Sequence, residues 1–302
     1  MTIKEIIPGL TQITLTIPRG GFESFVNSWL IEDVKRGRVV LMETGPAASV
    51  PKLADDLRTL GVEKIDYLVY THIHMDHAGG VGQFHVIHPE ARIIAPTKGR
   101  RHLVDPSKLL QGSRETLGAL CDSYGMPQPL PGSALAPEGF APEGLEIIET
   151  PGHSPHHNSY IFELNGRKIL FAGEVGGCCT EVSDGKYFIR PATPHKFYYD
   201  IAMESLDKLL SLSGIDLICY PHFGCSRRWF ELLTDAKAQM ALWKDIISAL
   251  PDDISLDDAV VAVKAQDPRM KLLAALPEAA GRREDFFVRQ SVNGYLRYLK
   301  CR

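Results

Sequence analysis

The chain has 302 residues, enough for one large domain or a domain with an appendage. A hydrophobic content of 44% and a charged content of 23% suit a water-soluble globular protein, and a net charge of −4 offers no broad basic surface, so nucleic acid is not an expected partner. No apolar run approaches the roughly 18 residues of a membrane span, and no basic segment leads into an apolar core at the first residues, so a cytoplasmic protein without signal peptide or membrane span is expected.

In chain order, residues 10–17 alternate well enough to predict a strand, and 27–31 and 38–42 read as a hairpin across Val34-Lys35-Arg36-Gly37. Leu53, Leu57 and Leu60 share one face of a predicted helix over 50–60 that Gly61 ends. Residues 66–70 read as a short buried strand, 81–88 as a helix, 91–95 as a strand and 107–124 as a helix. Pro127, Pro129, Pro131, Pro137 and Pro142 then mark a long loop. Strands are predicted at 145–149, 159–164 and 168–171, the last two joined by the hairpin dipeptide Asn165-Gly166. A helix over 199–212 and a strand over 215–220 follow. Beyond Gly224, Trp229, Leu233, Ala236, Met240, Trp243 and Ile247 form a helical apolar stripe that ends at Pro251. Ser255 with Asp258 resembles a capping box, and 285–299 reads as a last helix. The stripe is expected to pack on the main domain or on a partner chain, which would make a homodimer. Strands in both halves, interrupted by helices, point to two sheets face to face with helices outside. The six cysteines (Cys121, Cys178, Cys179, Cys219, Cys225 and Cys301) are irregularly spaced, as in a protein with reduced thiols.

The strand over 66–70 runs straight into Thr71-His72-Ile73-His74-Met75-Asp76-His77-Ala78-Gly79-Gly80. On an extended exit His72 and His74 point the same way, and a following turn lets Asp76 and His77 approach from a second direction. Imidazole and carboxylate together suit zinc, iron or manganese. Three later strand ends carry residues of the same kind: Pro151-Gly152-His153 with His156 and His157 beyond, Ala172-Gly173-Glu174, and Pro221-His222-Phe223-Gly224. One histidine after a strand is ordinary; recurrence at several strand ends indicates a shared site.

These segments, in this order, resemble the motifs of the metallo-β-lactamase-fold hydrolases, over about residues 5 to 225. The resemblance implies an αββα four-layer sandwich over residues 1–225 with a helical C-terminal extension over 226–302. It implies two divalent metal ions, zinc foremost with iron or manganese as alternatives. His72, His74 and His153 would bind the first, and Asp76, His77 and His222 the second. Glu174 stands where the family usually has a bridging aspartate, and Glu43 where relatives usually carry an aspartate that supports the histidine loop. Both departures add a methylene. His157 matches a position often filled by histidine in relatives and is a supporting candidate; His156 is either pocket or loop.

The chemistry expected is attack by a metal-bound hydroxide on a small ester, thioester or lactone, with Asp76 orienting the nucleophile or passing a proton to the leaving group. No Gly-x-Ser-x-Gly elbow, phosphate loop or dinucleotide fingerprint is present. The alternatives are an iron-dependent persulfide dioxygenase, a nuclease or phosphodiesterase, and a non-catalytic metal-binding module. Residues 226–302 hold 13 Lys and Arg against 11 Asp and Glu, no footprint for RNA. Residues 176–196, with Cys178, Cys179, Tyr187, Arg190 and His195, follow Glu174 directly and are expected over the site, where Arg190 would hold a carboxylate or phosphate or form a salt bridge.

Overall fold

The computed structural model describes residues 3–183, 186–194, 197–222 and 224–300. Strands β1 (Ile3–Ile7), β2 (Leu10–Leu15), β3 (Val26–Asp33), β4 (Arg38–Met42), β5 (Tyr67–Val69) and β6 (Arg92–Ile94) form one sheet in that spatial order. The second sheet uses β7 (Leu145–Glu149), β8 (Asn158–Leu164), β9 (Arg167–Phe171), β12 (Ile215–Cys219) and β13 (Cys225–Ser226), in the order β13-β12-β9-β8-β7. A separate hairpin pairs β10 (Cys178–Ser183) with β11 (Lys186–Arg190).

Strand alternation sorts the apolar side chains into layers. On β4, Val40 and Met42 face the second sheet and Leu41 faces outward; on β9, Ile169 and Phe171 face the first sheet and Leu170 faces outward. The inner faces meet in one core around Trp29, Val69, Tyr160, Phe162 and Leu217. Outside the first sheet lie Leu53 and Leu57 of the helix Val50–Thr59 and Phe84 of the helix Val81–Ile87. Outside the second lie Leu206 and Leu209 of the helix Tyr199–Leu210, with Leu233 and Trp243 of Trp229–Ser248 and Val288 and Tyr295 of Glu278–Lys300. The architecture is the αββα sandwich, and the C-terminal stripe packs within the chain.

The predicted helix over 107–124 is two helices, Ser107–Leu117 and Ala119–Ser123. Gly118 breaks it at φ +55°, a conformation that glycine adopts without a side-chain clash. The last helix begins at Glu278, seven residues earlier than its apolar period suggests, because Arg283 and Glu284 are buried charges rather than a solvated face. The edge strand β1 and the β10–β11 hairpin were not anticipated. Among the described residues no helix is long and apolar enough to cross a membrane, and Cys121, Cys178, Cys179, Cys219 and Cys225 are free thiols.

The parallel pairings β4–β5 and β9–β12, and the double antiparallel step from β9 through β8 to β7, bring the C-terminal ends of five strands to one edge. There the sheets are stitched together. Tyr160 hydroxyl donates to the Tyr70 carbonyl at 2.9 Å, Asn158 N–H to that of Thr71 at 2.8 Å, and Trp29 Nε1 to that of Tyr220 at 3.2 Å.

Candidate active site

Every residue of the predicted ligand set leaves this stitched edge. His72, His74, Asp76 and His77 follow β5, with Asp76 and His77 on the short helix Met75–Ala78; His153 follows β7, Glu174 follows β9 and His222 follows β12.

His153 Nε2 stands 3.2 Å from His72 Nε2 and 3.0 Å from His74 Nδ1. Burial, reinforced by the neighbouring rings, holds His72 and His74 well below the usual imidazole range, which favours neutral rings. Glu174 Oε2 lies 3.2 Å from His72 Nε2, 3.1 Å from His153 Nε2 and 3.2 Å from His77 Nε2, and Oε1 lies 3.6 Å from His222 Nε2. Asp76 Oδ2 closes a second group, 3.7 Å from His77 Nε2 and 3.5 Å from His222 Nε2. His77 Nε2 and His222 Nε2 are buried and make no hydrogen bond among the described residues.

A tetrahedral ion with bonds of about 2.0–2.1 Å has ligand–ligand edges of about 3.3–3.4 Å. The separations around His72, His74, His153 and Glu174 are close to that, and these four could hold a metal ion, as could Asp76, His77 and His222. Charge is concentrated at the same place. Burial alone would lower His77, but the Glu43 and Asp76 carboxylates outweigh it and hold the ring well above the imidazole range. Burial opposes ionisation of Glu174 too, yet His153 and His222 outweigh it and keep the carboxyl well below its usual value. These buried carboxylates and ring nitrogens together form a donor set that could hold a cation.

Hydrogen bonds behind the rings set their tautomers. His77 Nδ1 meets Glu43 Oε2 at 2.6 Å, His153 Nδ1 the Ala192 carbonyl at 2.9 Å, and His222 Nδ1 that of Phe25 at 3.0 Å. A proton on each Nδ1, held from behind, aims Nε2 into the site, where an incoming cation would displace the second proton of His77. Glu43 also accepts from the Thr71 hydroxyl, so it grips both ends of the histidine loop. It does so at φ +64°, a left-handed conformation costing a non-glycine residue about 1–3 kcal/mol. The carboxylate contacts offset that strain.

Gly173, immediately before Glu174, lies at φ +60°. A Cβ there would stand 2.2 Å from His157 Nε2, so the glycine lets the chain draw back against that ring. His157 is occupied on both sides, at 2.9 Å from Thr150 hydroxyl through Nδ1 and accepting the Glu174 N–H at 3.0 Å through Nε2. It positions Glu174 and does not face the cluster. His156 Nε2 accepts the Ile73 N–H at 3.3 Å, bracing the histidine loop, and burial lowers its pKa to about 4.

Arg190 answers the protein's own Glu284 at 2.7 Å rather than an open pocket, and stacks over Phe287. His195 lies outside the described residues. Sequence reasoning passed over two groups. The Tyr124 hydroxyl is buried without a partner among the described residues, its pKa raised by burial and by Asp76 and Glu174. Phe25 stacks on His222 at 4.2 Å, with the Arg283 guanidinium on the same phenyl ring at 4.5 Å. A phenylalanine carries no chemical signature, and Tyr124 stands at the end of the predicted helix over 107–124 with no local pattern to mark it; only the fold brings both to the site.

The pattern that defines the metallo-beta-lactamase superfamily matches residues 21–222. A metallo-beta-lactamase fold-containing protein of Sulfurisphaera tokodaii is 29% identical over 164 residues, which are 50% of this chain and 58% of that protein's length. A hydroxyacylglutathione hydrolase of Cupriavidus taiwanensis is 29% identical over 229 residues, covering 74% of this chain and 73% of that one. Among solved structures, a metallo-beta-lactamase family protein of Thermus thermophilus superposes with a TM-score of 0.67 at 21% identity, over 98% of this chain and 94% of that one. With the fold, the strand-end site and the matched pattern in agreement, the chain belongs to the metallo-beta-lactamase superfamily.

Proposed function

We propose that the protein is a metal-dependent hydrolase of a small thioester, ester or lactone, working with two divalent ions, zinc foremost. His72, His74 and His153 would hold one, Asp76, His77 and His222 the other, and Glu174 would bridge them. The observation that carries this reading is the position of Glu174 Oε2, within 3.1–3.2 Å of ring nitrogens from both groups. The thioester end of the range is supported by the hydroxyacylglutathione hydrolases, 25–29% identical, among the relatives.

Divalent ions bound there would supply a water of lowered pKa and polarise the scissile carbonyl. The chain's own part is orientation and proton handling. Glu43, Ala192 and Phe25 fix three imidazoles before substrate arrives, so no reorganisation is needed at the moment of reaction. Asp76 is the least buried of the three acids, its side chain 16% exposed against 8% for Glu174 and 3% for Glu43. It is the acid that reaches toward entering substrate, where it would orient the attacking water and return a proton to the leaving thiol or alcohol.

The test is metal analysis of freshly purified protein, then turnover of a thioester, p-nitrophenyl ester and lactone panel under anaerobic conditions with zinc or manganese. Close to two ions per chain and hydrolysis are expected. A panel left inert while iron-loaded protein consumes oxygen with a persulfide substrate would replace hydrolysis with sulfur oxidation; protein that takes up no metal would end the reading.

A further inference from the structure

We propose that Cys178 is itself a metal ligand, joining Glu174 and His222 as a thiolate at the second position and giving that position a preference for zinc over manganese. The inference rests on the metal reading above and deepens it.

Its first support is the turn after Glu174. Gly177 N–H donates to the Glu174 carbonyl at 3.0 Å, and Gly177 lies at φ +81°, where a Cβ would stand 2.2 Å from the Arg190 carbonyl. This tight return, open to glycine, brings the side chain four residues on back over the carboxylate that precedes the turn. Cys178 Sγ reaches Glu174 Oε1 at 2.9 Å. Strand alternation sends the next thiol elsewhere: Cys179 is buried in the core between the second sheet and the C-terminal helices. Two adjacent cysteines therefore have different surroundings.

His222 is the second observation, shared with the Asp76 and His77 group. Its Nε2 has no hydrogen-bond partner among the described residues, the residue is 4% exposed, and ligand atoms of Glu174, Cys178 and His222 lie within 4.8 Å of one another. An ion drawn to that orphaned nitrogen meets the sulfur on the way. Ligation releases the thiol proton to solvent and forms one metal–sulfur bond, with no change of oxidation state. Thiolate is a soft donor that suits zinc and cobalt, whereas manganese and magnesium favour oxygen.

The experiment uses the full chain titrated with cobalt(II), followed by absorption. A thiolate-to-cobalt charge-transfer band in the near ultraviolet is expected in wild type and in Cys179→Ser, and no such band in Cys178→Ser. Cys178→Ser should keep one equivalent of cobalt and bind the other at least ~10-fold more weakly. X-ray absorption of the zinc-loaded wild type needs no variant and should show a sulfur neighbour at about 2.3 Å. Two equivalents of metal with no sulfur in the shell would overturn the proposal and leave Cys178 as a hydrogen-bond donor to Glu174, with the hydrolase reading intact. Absence of metal uptake would overturn both.

Discussion

The histidine loop and the last helix both bury charge, and they do so in opposite ways. At the loop, Glu43, Asp76 and Glu174 face ring nitrogens, and two of those nitrogens have no hydrogen bond among the described residues. Under the helix Glu278–Lys300, the buried Glu284 lies between Arg190 Nε at 2.7 Å and Arg283 Nε at 2.8 Å, while Arg283 also donates to the Gly21 carbonyl. The helix cluster is answered from within the chain; the loop cluster is left open. That difference separates a structural ion pair from a binding site more sharply than burial does, since both clusters are buried.

The largest effect that would break the contrast falls on Glu174. Glu174→Ala should lose bound metal and nearly all hydrolysis, and Glu174→Asp should retain part of both, read by elemental analysis and turnover. Full metal content in Glu174→Ala would make the loop cluster a structural one. Next is Glu284→Ala, which strands two buried guanidiniums and should cost about 3–5 kcal/mol in urea unfolding. The pair also predicts a pH dependence. Burial opposes ionisation of Glu284, but Arg190 and Arg283 outweigh it and hold the folded pKa below the ordinary 4.5. Its contribution is then complete above pH 4.5 and is lost as pH falls through the lower folded value, so Glu284→Gln should flatten that acid limb.

Glu43→Gln sharpens the contrast from the other side. It keeps the shape but weakens the grip on His77 and Thr71, and should reduce metal affinity or activity about 10–100-fold while the fold persists. The smallest effect is reserved for a residue outside both clusters. Ser255 Oγ accepts the Asp258 N–H at 3.1 Å as a helix cap, so Ser255→Ala should cost about 1 kcal/mol of stability and leave metal content unchanged.

The two regions were unequally legible in the sequence. The candidate ligands could be named from residue order because each sits at a strand exit and four of them fall within six residues, so local chemistry and local geometry coincide. The sandwich followed from alternation on strands such as Leu145–Glu149, whose ends match the reading. The charge cluster could not be read that way. Arg190 and Glu284 are 94 residues apart, and Arg282-Arg283-Glu284-Asp285 looks like a solvated run until the fold buries its two central members. Cys178 and Cys179 were equally opaque, because only the hairpin register decides which of them turns toward Glu174.

The aromatic stack gives the C-terminal helix a role in the timing of folding. His222 rests on Phe25, Phe25 on Phe287 at 5.4 Å, and Arg283 caps the same phenyl ring. A chain emerging from the ribosome exposes all four candidate ligand loops well before residue 278 is synthesised. Until the helix docks, Phe25 and Arg190 lack their covers and the His222 ring lacks the support behind it. Contacts spanning such sequence distances form late, because the loop they close carries a large entropic cost. The geometry of the candidate site is therefore completed only once this helix has been made and docks, and a nascent chain stalled short of it would present the histidines without the rigid backing that aims them.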